Sequence, residues 1–294
     1  MKNKTLLTIL VVIVAVLAAM CSIIGVASSD GPGEHTFTSI HGEEVTIYGK
    51  GIYNNESLSM ASQVVAQDWV ILVMGIPALL ISLGFSRKSL KGQFLLAGTL
   101  GFFLYTYMSY SFTANYNNLF LAYVWLMTCS IAAFIVVCIN ITRYGLTNCF
   151  GENPRLKFSG IFMLVMGALV GAMWLQRILP PLFAGTIPES VEHYTTLIIQ
   201  AMDLGIVIPA MLVAGILTLK RNPVGYFLSV LLSVKALTLL TSITAMMINM
   251  GSHGVPPSIV EIIAFGAFNL VALANVVFAV RSVRQNSLLE GSHR

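Results

Sequence analysis

Apolar residues in this chain run in eight continuous stretches rather than in an alternating pattern, at about 5–27, 69–86, 93–112, 119–141, 158–179, 197–219, 226–249 and 259–280. Each is near the roughly 20 residues that a helix needs to cross about 30 Å of hydrocarbon. Short polar segments rich in Gly, Pro and Asn separate them. The pattern predicts an all-α, polytopic transmembrane helical bundle of about eight spans. Composition agrees: 56% of residues are hydrophobic and 10% charged, with a mean hydropathy of +0.84, which excludes a soluble domain with a charged surface. The lipid bilayer is therefore the expected surrounding partner, and neither nucleic acid nor a cofactor is expected.

Charge then orients the bundle. Of the sixteen Lys and Arg residues, Lys2, Lys4, Arg87, Lys88, Lys91, Arg143, Arg155, Lys157, Lys220, Arg221, Arg281, Arg284 and Arg294 fall in alternate segments. Because basic residues stay on the cytoplasmic side of short loops, both termini are expected in the cytoplasm. The acids Asp30, Glu34, Glu43, Glu44, Glu56, Glu189 and Glu192 gather on the other side. Lys2 and Lys4 before the first span also fit a signal peptide, with Gly25-Val26-Ala27 as small residues for cleavage. The apolar run is longer than a usual signal core, so an uncleaved anchor is the preferred reading.

One sizeable extracytoplasmic segment is expected, at 28–68. Thr36 to Ile40 and Glu44 to Tyr48 alternate apolar with polar around His41-Gly42, which predicts a short hairpin. Asn54, Asn55 and Ser57 are candidate N-caps for a helix that begins at Leu58 and enters the second span. Ser59, Gln63 and Gln67 recur at i, i+4 and i+8, forming one polar stripe. This segment is expected to lie as a lid over the bundle.

The chain also repeats itself. Asp68, Ile76-Pro77-Ala78-Leu79-Leu80-Ile81, Arg87-Lys88 and Gly92 are echoed by Asp203, Ile208-Pro209-Ala210-Met211-Leu212-Val213, Lys220-Arg221 and Gly225. A parallel 4+4 internal duplication follows, with a first half at 1–157 and a second at 158–294. Parallel repeats of this kind occur in transporters, with substrate sites near the repeat interface.

Three ionisable residues stand inside apolar runs: Asp203, Lys235 and Glu261. A charge at mid-bilayer costs at least about 2.5 to 3.5 kcal/mol on insertion scales, so such residues pair, face a polar cavity or do work. At about 1.5 Å per residue, Asp203 lies about 9 Å below the outer end of its span, Glu261 within about 6 Å, and Lys235 near the midplane. Helical spacing puts Gln200 with Asp203, Thr238 and Ser242 with Lys235, and Asn269 with Glu261. Asp68 is the expected twin of Asp203, whereas Phe102 matches Lys235. Arg177 closes the fifth span before Pro180-Pro181 as a second candidate cation for an acidic ligand or for Glu192. Tyr105, Tyr107 and Tyr110 bring hydroxyls to the third span, where an interfacial aromatic belt is the plainer reading. The candidate substrate-binding set is Asp203, Lys235, Glu261, Gln200, Asp68, Arg177, Tyr105 and Tyr107. No catalytic residue is assigned, and no Cys/His spacing predicts a metal site.

The run YGKGIYNNESLSMASQVVAQD from Tyr48, the LAGTLGFFLYTYMSY run of the third span and LPPLFAGTIPESVEHYTTLIIQAMDLGIVIPAML from Leu179 together resemble a family of prokaryotic multi-spanning integral membrane proteins without an established function. The resemblance implies a prokaryotic inner (plasma) membrane and transfers no residue roles. With no nucleotide-binding loop to support ATP hydrolysis, the leading expectation is small-solute transport or binding at an outward-facing polar site between the halves. An enzyme acting on a lipid or lipid-linked substrate, or a sensor or assembly subunit, are the alternatives.

Overall fold

The structure is a computed structural model and describes residues 4–151, 154–252 and 258–284; Lys2 and Arg294 of the basic set lie outside them. Eight long helices dominate: α1 (Lys4–Ala27), α2 (Leu58–Ser86), α3 (Leu90–Thr113), α4 (Phe120–Thr142), α5 (Lys157–Ala184), α6 (Ile198–Leu219), α7 (Pro223–Ser252) and α8 (Ile259–Arg281). Seven are long and apolar enough to cross a membrane, so the protein is a multi-pass helical bundle. The remaining one, α3, has 24 residues and fourteen of them buried, the buried set including Thr99, Thr106, Tyr107 and Tyr110. It is less apolar because its neighbours, α2, α4 and α7, shield its hydroxyls from lipid.

The α5 helix departs from its expected end at Pro180-Pro181. It continues to Ala184 and stops at Gly185, whose φ of 67° closes the helix in the left-handed region. Proline's fixed φ suits a helix, and the cost here is confined to the hydrogen bonds missing from the final turn.

Two short strands, β1 (His35–Thr38) and β2 (Glu44–Ile47), pair antiparallel with His35 opposite Ile47 and Thr38 opposite Glu44, so the expected hairpin forms. Its turn uses Gly42 at φ 83°. Ser57 is the N-cap of α2, its Oγ accepting from the Met60 N–H at 3.0 Å. The helix then runs without a break into the membrane-spanning part.

Two helices contain a π-helical segment, Ile71–Gly75 in α2 and Asp203–Val207 in α6. Each is followed directly by Ile-Pro. Pro77 and Pro209 have no N–H to donate and their rings crowd the carbonyl four residues back, so one widened turn absorbs the conflict without breaking the helix.

Hydrophobic packing forms two clusters. The larger surrounds α3 with side chains of α1, α2 and α4 and reaches Tyr226, Val230 and Leu231 of α7. The smaller joins Phe162, Met163 and Met166 of α5 to Met211 and Ala214 of α6, Ala236 and Leu240 of α7 and Ala272 of α8. The α7 helix thus belongs to both, and it approaches α3 closely at Gly98, where a Cβ would lie 2.5 Å from Val234.

Glycine positions give a direct test of this packing. A Cβ at Gly92 or Gly225 would lie 2.3 Å from backbone of the preceding helix, whereas Gly84 and Gly266 have nothing within 4 Å. Gly92→Ala and Gly225→Ala are expected to destabilise the protein by about 1–3 kcal/mol. Gly84→Ala and Gly266→Ala should be neutral or stabilise by up to about 1 kcal/mol through helix propensity. Thermal unfolding of the four variants in one detergent separates the two groups.

Candidate functional site

Asp203 opens the π segment of α6 and is 5% exposed. Its Oδ1 accepts the hydroxyl of Tyr105 at 2.6 Å and its Oδ2 accepts the Nε1–H of Trp174 at 2.9 Å. Tyr105 comes from α3 and Trp174 from α5. The fourth member is Lys235 of α7, 8% exposed, whose Nζ stands 3.9 Å above the centroid of the Tyr105 ring. Tyr105 therefore links the two charges, donating from its hydroxyl to the carboxylate and offering its ring face to the ammonium. No salt bridge joins Asp203 directly to Lys235: Lys50–Glu34 is the only ion pair among the described residues.

The Lys235 ammonium has no hydrogen-bond acceptor among the described residues. Thr238, one turn along α7, directs its hydroxyl to the carbonyl of Lys235 at 2.8 Å. Ser242, the next residue on that face, is buried and its Oγ is likewise unpartnered. An unpaired buried charge is costly, and among the described residues its compensation is the Tyr105 ring below it and the Asp203 carboxylate nearby.

Other sequence-predicted residues lie elsewhere. Glu261 is exposed and forms a capping box with Ser258, accepting the Ser258 N–H and hydroxyl at 2.8 Å each. Its partner Asn269 bonds to Thr244 of α7 at 2.8 Å, tying α8 to that helix. Arg177 is exposed with its guanidinium 5.7 Å from the Trp174 ring centroid, while Glu192 accepts from the Ser57 hydroxyl instead. Gln200 is half-buried in the first turn of α6. Trp174 is the site residue that sequence reasoning missed; its spacing of three from Arg177, which puts both on one face of α5, was the available signal.

Asp68 and Tyr107 belong to a second buried side-chain cluster, in which Tyr107 packs against Tyr110. Asp68, 1% exposed, accepts the Tyr53 hydroxyl at 2.6 Å and the Tyr110 hydroxyl at 3.2 Å. Tyr53 comes from the segment after the hairpin and Tyr110 from α3. The α1 helix meets the carboxylate at Gly25, where a Cβ would sit 2.0 Å from Oδ2. Gln67 beside it donates to Thr106 of α3 at 3.3 Å.

At the hairpin end of the bundle, loops from distant parts of the chain are joined around Glu56. Its carboxylate accepts the Asn115 backbone N–H at 2.7 Å and the Tyr194 hydroxyl. His193 packs edge-on against Phe37 of β1, and Nε2 lies 3.0 Å from both Asn115 Nδ2 and the Asn55 carbonyl. A cavity of about 500 Å³ opens beside this network, lined in part by Glu43, Glu44, Glu189 and Glu192.

Burial raises the pKa of the Glu56 carboxyl above the usual 4.5, although the bonds from Tyr194 and Asn115 oppose it. Burial also raises Glu192, against the bond from Ser57. Folding therefore favours the protonated form of both. Their contribution to stability is greatest below the unfolded value and falls as pH rises through the folded values. Between neutral pH and mild acid, the wild type is expected to gain thermal stability relative to Glu56→Gln, whose profile loses one titrating group. Parallel melting curves from pH 4.5 to 8 measure the difference.

Compared with known proteins, the chain matches no protein-family model, no curated protein and no solved structure.

Proposed function

We propose that this membrane protein binds a small anionic solute between its two halves and carries it across the bilayer, with Lys235 as the residue that receives the anion. One observation carries this reading: the buried Lys235 ammonium lacks an acceptor among the described residues. Each Asp203 oxygen already has a donor. What the site lacks is an acceptor, and an ammonium offers three donors and no lone pair. A carboxylate or phosphate beside Lys235 supplies both the missing acceptor and the missing charge.

The position of the site supports a transport role. Tyr105 belongs to the first half of the chain and Trp174, Asp203 and Lys235 to the second, so a ligand there touches both. The duplication itself is supported by the recurring π segment, the Ile-Pro that follows it, and the tight glycine after the next turn. Measured from that shared Ile-Pro, Asp68 lies eight positions before Ile76 and Asp203 five before Ile208. The two acids are thus offset by three residues. The basic turns after α2 and α6 support cytoplasmic termini, with the hairpin and the Glu56 network forming the outward lid.

Purified protein tested with acetate, succinate, glutamate and inorganic phosphate is expected to show a thermal shift with at least one of them. Saturation at a hundredfold excess over Kd corresponds to about 2.7 kcal/mol. Lys235→Met and Asp203→Asn should remain monodisperse and lose that shift. A wild-type protein indifferent to all four, or a shift retained in Lys235→Met, would overturn the assignment.

A further inference from the structure

We propose that the end of the bundle opposite the hairpin holds an anionic phospholipid, its headgroup phosphate seated in a cavity between α5, α6 and α7. The cavity has a volume of about 350 Å³ and is lined by Pro154, Lys157, Thr218, Leu219, Arg221 and Tyr226. Lys157 begins α5, Arg221 follows the end of α6, and Tyr226 belongs to the first turn of α7. Both cations are exposed, and neither has a carboxylate partner among the described residues. In the sequence, the two turns that frame the cavity hold Arg143, Arg155, Lys157, Lys220 and Arg221 against a single acid, Glu152, which lies outside the described residues.

The backbone at Arg221 is the second observation. Its φ is 57°, in the left-handed region. Its N–H donates to the Thr218 carbonyl at 3.0 Å, and the Asn222 N–H to the Leu217 carbonyl at 2.9 Å. Glycine is the favoured residue where a helix ends in this way. An arginine there carries a conformational cost that glycine avoids, and what its side chain adds is a guanidinium on the cavity wall. Tyr226 is buried with its ring 5.5 Å from that of Phe150, and its hydroxyl has no hydrogen-bond partner among the described residues. The lining thus presents two cations and an uncommitted hydroxyl, all able to donate to phosphate oxygens.

The surroundings distinguish a lipid from a soluble anion. Phe158, directly after Lys157, and Leu219 and Val224 on either side of Arg221 are exposed apolar side chains. A soluble anion gains nothing from that surface, whereas a phospholipid lays its acyl chains on it while its phosphate meets the cations. A headgroup that also bears an ammonium would bring a further positive charge among these basic residues, so the match is to a lipid with net negative charge. None of the lining residues belongs to the Asp203–Lys235 cluster, and the site stands apart from the proposed solute path.

Full-length protein is melted in mixed micelles containing increasing phosphatidylglycerol or, with matched acyl chains, phosphatidylcholine. Phosphatidylglycerol is expected to raise the melting temperature saturably and phosphatidylcholine to leave it flat. Arg221→Gly should melt at or above the wild type without lipid, since glycine relieves the left-handed position, yet need about fivefold more phosphatidylglycerol for half the shift. Lys157→Gln should need a similar excess. Lys88→Gln, in the turn between α2 and α3 and not on the cavity wall, should respond like the wild type. Lys235→Met should keep the full response, which distinguishes failure at this site from failure at the solute site. Equal stabilisation by the two lipids, an unchanged response in both Arg221→Gly and Lys157→Gln, or an equal loss in Lys88→Gln would overturn the proposal. So would a shift of the same size given by inorganic phosphate to Lys235→Met, which assigns the cavity to a soluble anion.

Discussion

A carboxylate inside a helical bundle needs hydrogen-bond donors that the helices' own backbones cannot provide, since those N–H groups are committed to the helix. In this protein, tyrosines of α3 meet that need for both buried acids: Tyr110 for Asp68 and Tyr105 for Asp203. The two tyrosines are five residues apart on one helix, so α3 has to pass between the acid-bearing helices. That requirement explains why the least apolar of the eight helices is also the one most enclosed by others. Its hydroxyls are tolerable only where lipid does not reach.

The prolines impose the complementary constraint. A proline in mid-helix ordinarily kinks or breaks it; here the widened turns at Ile71–Gly75 and Asp203–Val207 accommodate the change. Asp203 is the first residue of such a turn, so the conformation of the site and the backbone defect are one feature. Asp68 instead precedes its turn by three residues and lies in regular helix. That offset brings Asp68 beside α1 and the Tyr53 hydroxyl, and Asp203 beside α5 and Trp174.

Much of the architecture was legible in the sequence because hydrocarbon thickness sets helix length: the eight apolar runs and the eight helices differ by only a few residues at most ends. The Leu58 start, the Ser57 cap and the hairpin around Gly42 were equally readable, since each depends on local chemistry. Pairing across helices was not. Spacing along α7 placed Lys235 with Thr238 and Ser242, but it contained no information that a ring from α3 would stand between Lys235 and Asp203. Glu261 shows the opposite limit. Its apolar surroundings suggested an intramembrane charge, whereas the Ser258-x-x-Glu261 spacing is that of a capping box, and the local motif proved to describe its role. Tyr105 and Tyr107, two residues apart on α3, divide between two different clusters because such positions on a helix point in different directions.

The two clusters share α3, and this gives them a physical means of influencing each other. Tyr105 and Tyr110 are fixed on the same rigid helix, so a shift or rotation of α3 that shortens one hydroxyl–carboxylate bond changes the geometry of the other. The Gly98–Val234 contact transmits such a shift to α7 within one residue of Lys235. Toward the hairpin, the chain after α3 carries Asn115, whose N–H binds Glu56. The α3 helix and the loop that follows it thus contact the Asp68 cluster, the Asp203–Lys235 cluster and the Glu56 network. Ligands that favour different positions of α3 would be coupled through it, since an equilibrium between two positions is biased by whatever binds one of them more tightly. The close packing of α3 on both sides makes that coupling stiff, whereas charges separated by flexible side chains alone would accommodate a change at one site without registering it at the other.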